Sequence, residues 1–119
     1  MTEPEWMRRA KAAASALGAD TARRAGAGHS VYVVLLRDPR GAGRWGLYVG
    51  QTSREPDLRF DQHRAGYRAS RAVRRFGFRL LPELVKHLNP MMAWEALDLE
   101  AALAEAFRDA GVPWVEGGH

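Results

Sequence analysis

The chain contains no cysteine. Disulfides and thiolate metal sites are therefore excluded, and any metal must be held by oxygen or imidazole. The absence also fits an intracellular, cytoplasmic protein, because disulfides are rare there. No apolar run approaches the ~20 residues needed to cross a bilayer. The opening Met1-Thr2-Glu3-Pro4-Glu5 has neither the basic start nor the apolar stretch of a secretion signal, so no membrane partner is expected. Internal repeats and low-complexity linkers are missing. Lysine is scarce: Lys11 and Lys86 are the only two, so sixteen of the eighteen cationic residues are arginine.

What is there suits one ordinary domain. The chain has 119 residues, 46% hydrophobic and 27% charged, enough to bury a core. Net charge is only +4, but its distribution is uneven. Arg54, Arg59, Arg64, Arg68, Arg71, Arg74, Arg75 and Arg79 face only Glu55, Asp57 and Asp61 in the same stretch. After Arg79 the acids dominate. Guanidinium forks suit bidentate phosphate contacts, so a polyanion partner is one reading. A solvated helix face with biased codon usage is the other, and charge alone does not separate them.

Residues 4 to 17 read as a helix, with Pro4 in its first turn, Ala12-Ala13-Ala14 inside and Gly18 as its cap. Residues 21 to 28 read as a linker. This N-terminal part, 1–28, is expected to pack on the domain; the competing role is a basic arm using Arg8, Arg9, Lys11, Arg23 and Arg24. Ser30 to Leu36 and Trp45 to Gln51 are two β-rich runs joined by a Gly/Pro/Asp loop, which predicts a hairpin. Such a hairpin can bring Tyr32 and Tyr48 together on one sheet face. Trp45 reads as a packing residue, and Gly50 as the end of the strand. Residues 55 to 66 read as a helix opened by Pro56 and stopped by Gly66. Ser70 should cap a short helix over 71–76, and residues 78–81 a third strand. Residues 82–86 are ambiguous between strand end and helical turn, and Asn89-Pro90 is a break. The longest helical pattern, 92–110, is apolar over more than one face and is expected at the centre of the core. Residues 112–115 allow a short edge strand.

Taken together, Val31-Tyr32-Val33, the loop, Tyr48-Val49-Gly50, then Arg59 and His63 at helical spacing, then Glu95-Ala96-Leu97-Asp98-Leu99-Glu100, resemble the motifs of the GIY-YIG nuclease family in their order and separation. The resemblance covers residues 29 to 116. It implies an α/β (α+β) domain over 29–119, with a small three-stranded, mainly antiparallel sheet flanked by helices and the N-terminal helix as an addition. The chain departs from the family pattern in two places. The first motif is Val-Tyr-Val rather than Gly-Ile-Tyr, and residues 110–118 lack the asparagine that many members carry there.

Phosphodiester hydrolysis needs an activated water, charge stabilisation on the phosphate, help for the leaving oxygen and in-line placement. The resemblance assigns these jobs. Glu100 would hold Mg²⁺ or Mn²⁺, which keeps most of its hydration and takes one or two protein oxygens. Glu95 and Asp98 compete for that role, although Glu95 also suits an early helical turn. Arg59 would bind the scissile phosphate, and His63 would assist a tyrosine in proton transfer, its ordinary pKa lying near neutrality. Tyr32 would help activate water as a general base, which requires a lowered pKa. Tyr48 would position water, metal or phosphate. Without the resemblance, each residue has a plainer role: sheet aromatics, a surface arginine, a helix-face histidine, a solvated glutamate.

The function expected is a metal-dependent endonuclease acting on DNA, with RNA left open as a substrate, and with Arg64, Arg68, Arg71, Arg74 and Arg75 gripping the nucleic-acid backbone. The alternatives are a catalytically weakened nucleic-acid-binding module of the same fold and a protein-interaction domain. The sequence gives no oligomeric state.

Overall fold

Residues 31–36 are buried at every position. A strand achieves that only when both faces of its sheet are covered. The computed structural model describes residues 3–18, 27–40, 43–66 and 70–118, and this buried run lies at their centre. The elements are α1 (Met7–Ala16), β1 (Ser30–Asp38), β2 (Arg44–Thr52), α2 (Pro56–Ala65), α3 (Arg71–Phe76), β3 (Gly77–Leu80), a 3-10 turn (Pro82–Leu84), α4 (Ala93–Asp109) and β4 (Val115–Gly117). They form an α+β fold around one sheet ordered β3-β1-β2-β4.

The expected three-stranded sheet has a fourth strand. Gly111, at φ 87°, turns the chain after α4, and β4 then runs parallel to β2 along its outer edge. The short edge strand allowed by residues 112–115 therefore exists, shifted to Val115–Gly117. The hairpin is as expected: β1 and β2 pair antiparallel with Tyr32 opposite Gly50 and Val34 opposite Tyr48. β3 pairs antiparallel with the second half of β1. Where β3 gives out, the Asn89 side chain takes its place, accepting from Val31 N–H and donating to Val31 C=O at 2.8 Å each. Both backbone groups of a buried strand residue are thus satisfied by one amide.

Alternation along the strands separates two cores. Val31, Val33, Leu35, Leu47 and Val49 join Leu103, Ala104 and Phe107 of α4 and Met7, Ala10 and Ala14 of α1. Tyr32, Val34 and Leu36 face the other way, with Val73 and Trp114. The N-terminal helix packs on the domain, as expected, and Arg9 fastens it by donating to Ala110 C=O at 2.8 Å while pairing with Glu5. Arg23 and Arg24 of the competing basic-arm reading, and most of the 21–28 linker, lie outside the described residues.

Three further expectations change in detail. Gly50 does not end its strand; β2 continues to Thr52. The ambiguous 82–86 segment contains the 3-10 turn. The last helix buries one face, through Ala96, Glu100, Leu103, Ala104 and Phe107. Trp94 and Leu97 on that helix are more than half exposed, so its apolar residues are not all core. Among the described residues no helix is long and apolar enough to cross a membrane.

Candidate functional site

The β1–β2 register decides where the tyrosines go. Tyr32 and Tyr48 are diagonal neighbours on one sheet face, a separation aromatic rings can bridge. Their ring centroids lie 6.1 Å apart. Gly50 sits directly across from Tyr32, and a Cβ there would come within 2.5 Å of the phenol oxygen. Gly50 is therefore the floor under the Tyr32 ring, a cross-strand role in place of the expected strand-ending one.

α2 delivers the histidine. Glu55 has extended ψ, Pro56 opens the helix, and Gly66 closes it at φ 89°. This leaves His63 as the buried residue of α2, facing the tyrosines, with ring centroids 6.0 Å from Tyr32 and 5.7 Å from Tyr48. Ser70 caps α3, as expected, with its Oγ accepting from Val73 N–H. The same residue's backbone N–H donates to His63 Nδ1 at 2.8 Å. An N–H pointing at Nδ1 requires that nitrogen to be unprotonated, so the proton of the neutral ring sits on Nε2. His63 Nε2–H therefore donates to the Tyr32 hydroxyl, 2.7 Å away.

The hydrogen-bond chain continues. Burial raises the Tyr32 phenol above its usual range; Tyr48 adds to this, while Arg59 opposes it. Burial also raises Tyr48, whereas its contacts with Tyr32 and Ser70 lower it. The order is thus Ser70 N–H to His63 and His63 to Tyr32, with Tyr48 beside Tyr32. Burial, helped by the Arg59 charge, lowers His63 to about 4.

Two expected roles change as a result. His63 is neutral near pH 7 with both nitrogens occupied, so it orients Tyr32 rather than accepting its proton. Tyr32 was expected to need a lowered pKa to act as a base; Arg59 supplies the cation, but desolvation outweighs it. Tyr32 is held as a protonated phenol.

Arg59 stands one turn before His63 on α2, bonds Gln62 Oε1 at 3.3 Å and acts electrostatically on both tyrosines and the histidine. It also lines a polar cleft of about 310 Å³ with His29, Gln51, Arg54 and Gln62. Among the described residues no carboxylate lines that cleft. It gives an anion a route to the Arg59 guanidinium. Sequence reasoning gave Arg54 no role beyond the basic stretch; the segment 51–53 just before it, which the resemblance sets near the substrate, was the available signal and does line this cleft.

The three acids on α4 separate cleanly. Glu95 accepts from Met92 N–H at 3.1 Å and completes the helix start, its expected structural job. Asp98 is exposed. Glu100 is buried on the inner face and near enough to Tyr48 for its charge to raise that phenol. Of the three, only Glu100 joins the tyrosines. Among the described residues no group of three His, Asp or Glu side chains converges, so a metal here would have Glu100 as its protein carboxylate and take its other oxygens from water and substrate.

The expected backbone-gripping arginines are only partly gathered. Arg64 lies over the Phe60 ring, Arg75 over Phe76, Arg74 against Gly66, and Arg71 is exposed. Arg68 lies outside the described residues. Arg79, counted with them by charge, is instead spent: its guanidinium pairs with Glu83 at 3.0 Å and also with Glu3. No family model, no curated protein and no solved structure matches the chain.

Proposed function

We propose that the protein is a metal-dependent endonuclease of the GIY-YIG type, hydrolysing phosphodiester bonds in DNA with an activated water. One observation carries this reading. Tyr32, Tyr48, Arg59, His63 and Glu100, spread over four elements, fall within electrostatic reach of the same pair of phenols. A core needs no such gathering, and burying the two tyrosines, the histidine and the carboxylate together is unfavourable unless each has a partner.

The phosphate enters along the carboxylate-free cleft and meets Arg59, whose fork offsets the charge that builds on the phosphoryl oxygens. Tyr48 lies beside Tyr32, Ser70 and Arg59, where its hydroxyl is placed to orient water or phosphate. His63 and Tyr32 hold that phenol in place. Mg²⁺ or Mn²⁺ at Glu100 would supply charge neutralisation and a more acidic bound water. The attacking water would lose its proton to solvent, with Tyr32 kept as a protonated phenol.

The raised Tyr32 phenol and the missing C-terminal asparagine favour a second reading, a nucleic-acid-binding module with weakened turnover. Nicking of supercoiled plasmid with Mg²⁺, Mn²⁺ or EDTA separates the two. Metal-dependent relaxation, lost in Glu100→Gln, is the expected result. Plasmid binding without cleavage, on branched and single-stranded substrates as well, would establish the binding module.

A further inference from the structure

The tyrosine face of the sheet carries a second assembly at its hairpin end. Arg44 follows the alternation of Tyr48 and Gly46, and its guanidinium lies 4.0 Å from the Trp114 ring centroid. Trp114 lies against Gly46, where a Cβ would meet the indole at 2.7 Å, so that glycine makes room for the ring. Phe76, the last residue of α3, packs edge-on against Trp114 with centroids 5.3 Å apart. Arg75 lies over Phe76 at 5.1 Å, and Arg40 over the same ring at 5.7 Å. Glu116 accepts the indole N–H at 2.9 Å and fixes its orientation. Three segments far apart in sequence thus build one platform, with arginines over rings.

Charge decides what the platform fits. Arg40 is matched by Asp38, whose carboxyl is lowered to about 2 by that bond. Arg44 and Arg75 are exposed, and among the described residues neither is in an ion pair. A guanidinium is planar by delocalisation, and resting it on a ring pre-organises it while N–H groups stay available, which suits phosphate. α3 links the platform to the site: its cap Ser70 bonds His63, and its last residue Phe76 supports Arg75. Along β2, Arg44 is four residues from Tyr48, ~13 Å at the usual strand rise. Backbone charges recur every ~3.4 Å per strand along a duplex axis, so the separation corresponds to about four base pairs.

We propose that Arg44 and Arg75, held on Trp114 and Phe76, form a ledge that binds the phosphate backbone of duplex DNA about four base pairs from the reacting phosphate. This rests on the nucleic-acid reading above. It adds a contact from the β1–β2 hairpin, outside the arginine-rich stretch.

The test is binding of a labelled mixed-sequence duplex in EDTA, which removes cleavage, measured from 50 to 200 mM salt. Wild type, Arg44→Gln/Arg75→Gln and Arg8→Gln/Lys11→Gln are compared. The last pair is exposed on α1, which packs on the other face of the sheet. Losing two phosphate contacts should make the fall in affinity across this range about tenfold shallower, with the α1 variant following wild type. Melting temperatures report folding; if the double variant is unfolded, the two single variants carry the test, each with about a threefold change. An unchanged double variant beside a binding wild type overturns the ledge alone. Equal shallowing in the α1 variant overturns it too, as a general charge effect. No binding by wild type overturns both the ledge and the nucleic-acid reading.

Discussion

The two faces of this sheet are built from the same strands, offset by one residue, and they do different work. On one face Val31, Val33, Leu35, Leu47 and Val49 meet α1 and α4 in an almost wholly aliphatic core. On the other, Tyr32 and Tyr48 meet His63 and Ser70, and farther along Trp114 and Phe76. The first face can be packed with any shapes that fill it. The second contains donors and acceptors that must be matched one to one, because an unmatched buried polar group costs about 1–3 kcal/mol. Stability is therefore concentrated on one side, and the hydrogen-bonded tyrosine–histidine network on the other.

Substitutions on the two sides should separate those properties. Phe107→Ala, on the aliphatic side, should cost about 3–5 kcal/mol of stability, read from denaturant midpoints. Its effect on cleavage should follow only from the loss of folded protein. Tyr32→Phe, on the polar side, removes the hydroxyl that His63 holds and should lower nicking about a hundredfold through misplacement of the site, with the fold retained. Full activity in that variant would remove Tyr32 from the site, and a stability loss as large as that of Phe107→Ala would erase the distinction between the faces.

The pH dependence sharpens it. His63 titrates at about 4 when folded, against 6.5 for the unperturbed group. The folded site suits the neutral ring, so its contribution is complete above about pH 6.5 and is lost as pH falls toward 4. The loss should be on the order of 2–3 kcal/mol. Over that range the melting temperature of wild type should fall more than that of His63→Gln, which keeps an amide donor but does not titrate. Parallel curves would mean the ring is not held neutral. The smallest effect expected is from Gly50→Ala. The added methyl meets the Tyr32 phenol and should cost about 1–3 kcal/mol as the ring moves off its place. A loss of nicking larger than the loss of stability would show that the position of Tyr32 matters beyond packing.

Much of this was legible in the chain. Ser70 as a cap, Gly66 as a stop, the hairpin and the placement of both tyrosines on one face follow from local rules. So does the helical spacing of Arg59 and His63. The state of those groups was not legible. The pKa of His63 depends first on burial and its tautomer on Ser70 N–H arriving at Nδ1, and neither is a property of residues 59–63. The same holds for Tyr32, where desolvation outweighs the Arg59 charge. Arg79 looked like part of a basic stretch until α1's approach brought Glu3 to it. Arg44, in a loop that reads as a turn, gained a role only when Trp114 came beside Gly46.

By itself the sequence determined the alternation of the strands, the stop of α2 and the cap of α3, and which residue types stand on each face, because period, capping and turn chemistry act over a few residues; α1 instead runs from Met7 to Ala16 with Leu17 as its cap, inside the expected 4–17 and Gly18. Only the tertiary structure decided that Glu100 rather than Glu95 or Asp98 meets the tyrosines, that a fourth strand closes along β2, and that arginines from a hairpin and a distant helix share one aromatic platform. Those outcomes depend on burial and on contacts between segments tens of residues apart, and electrostatic energies in a protein follow distance and desolvation rather than position along the chain.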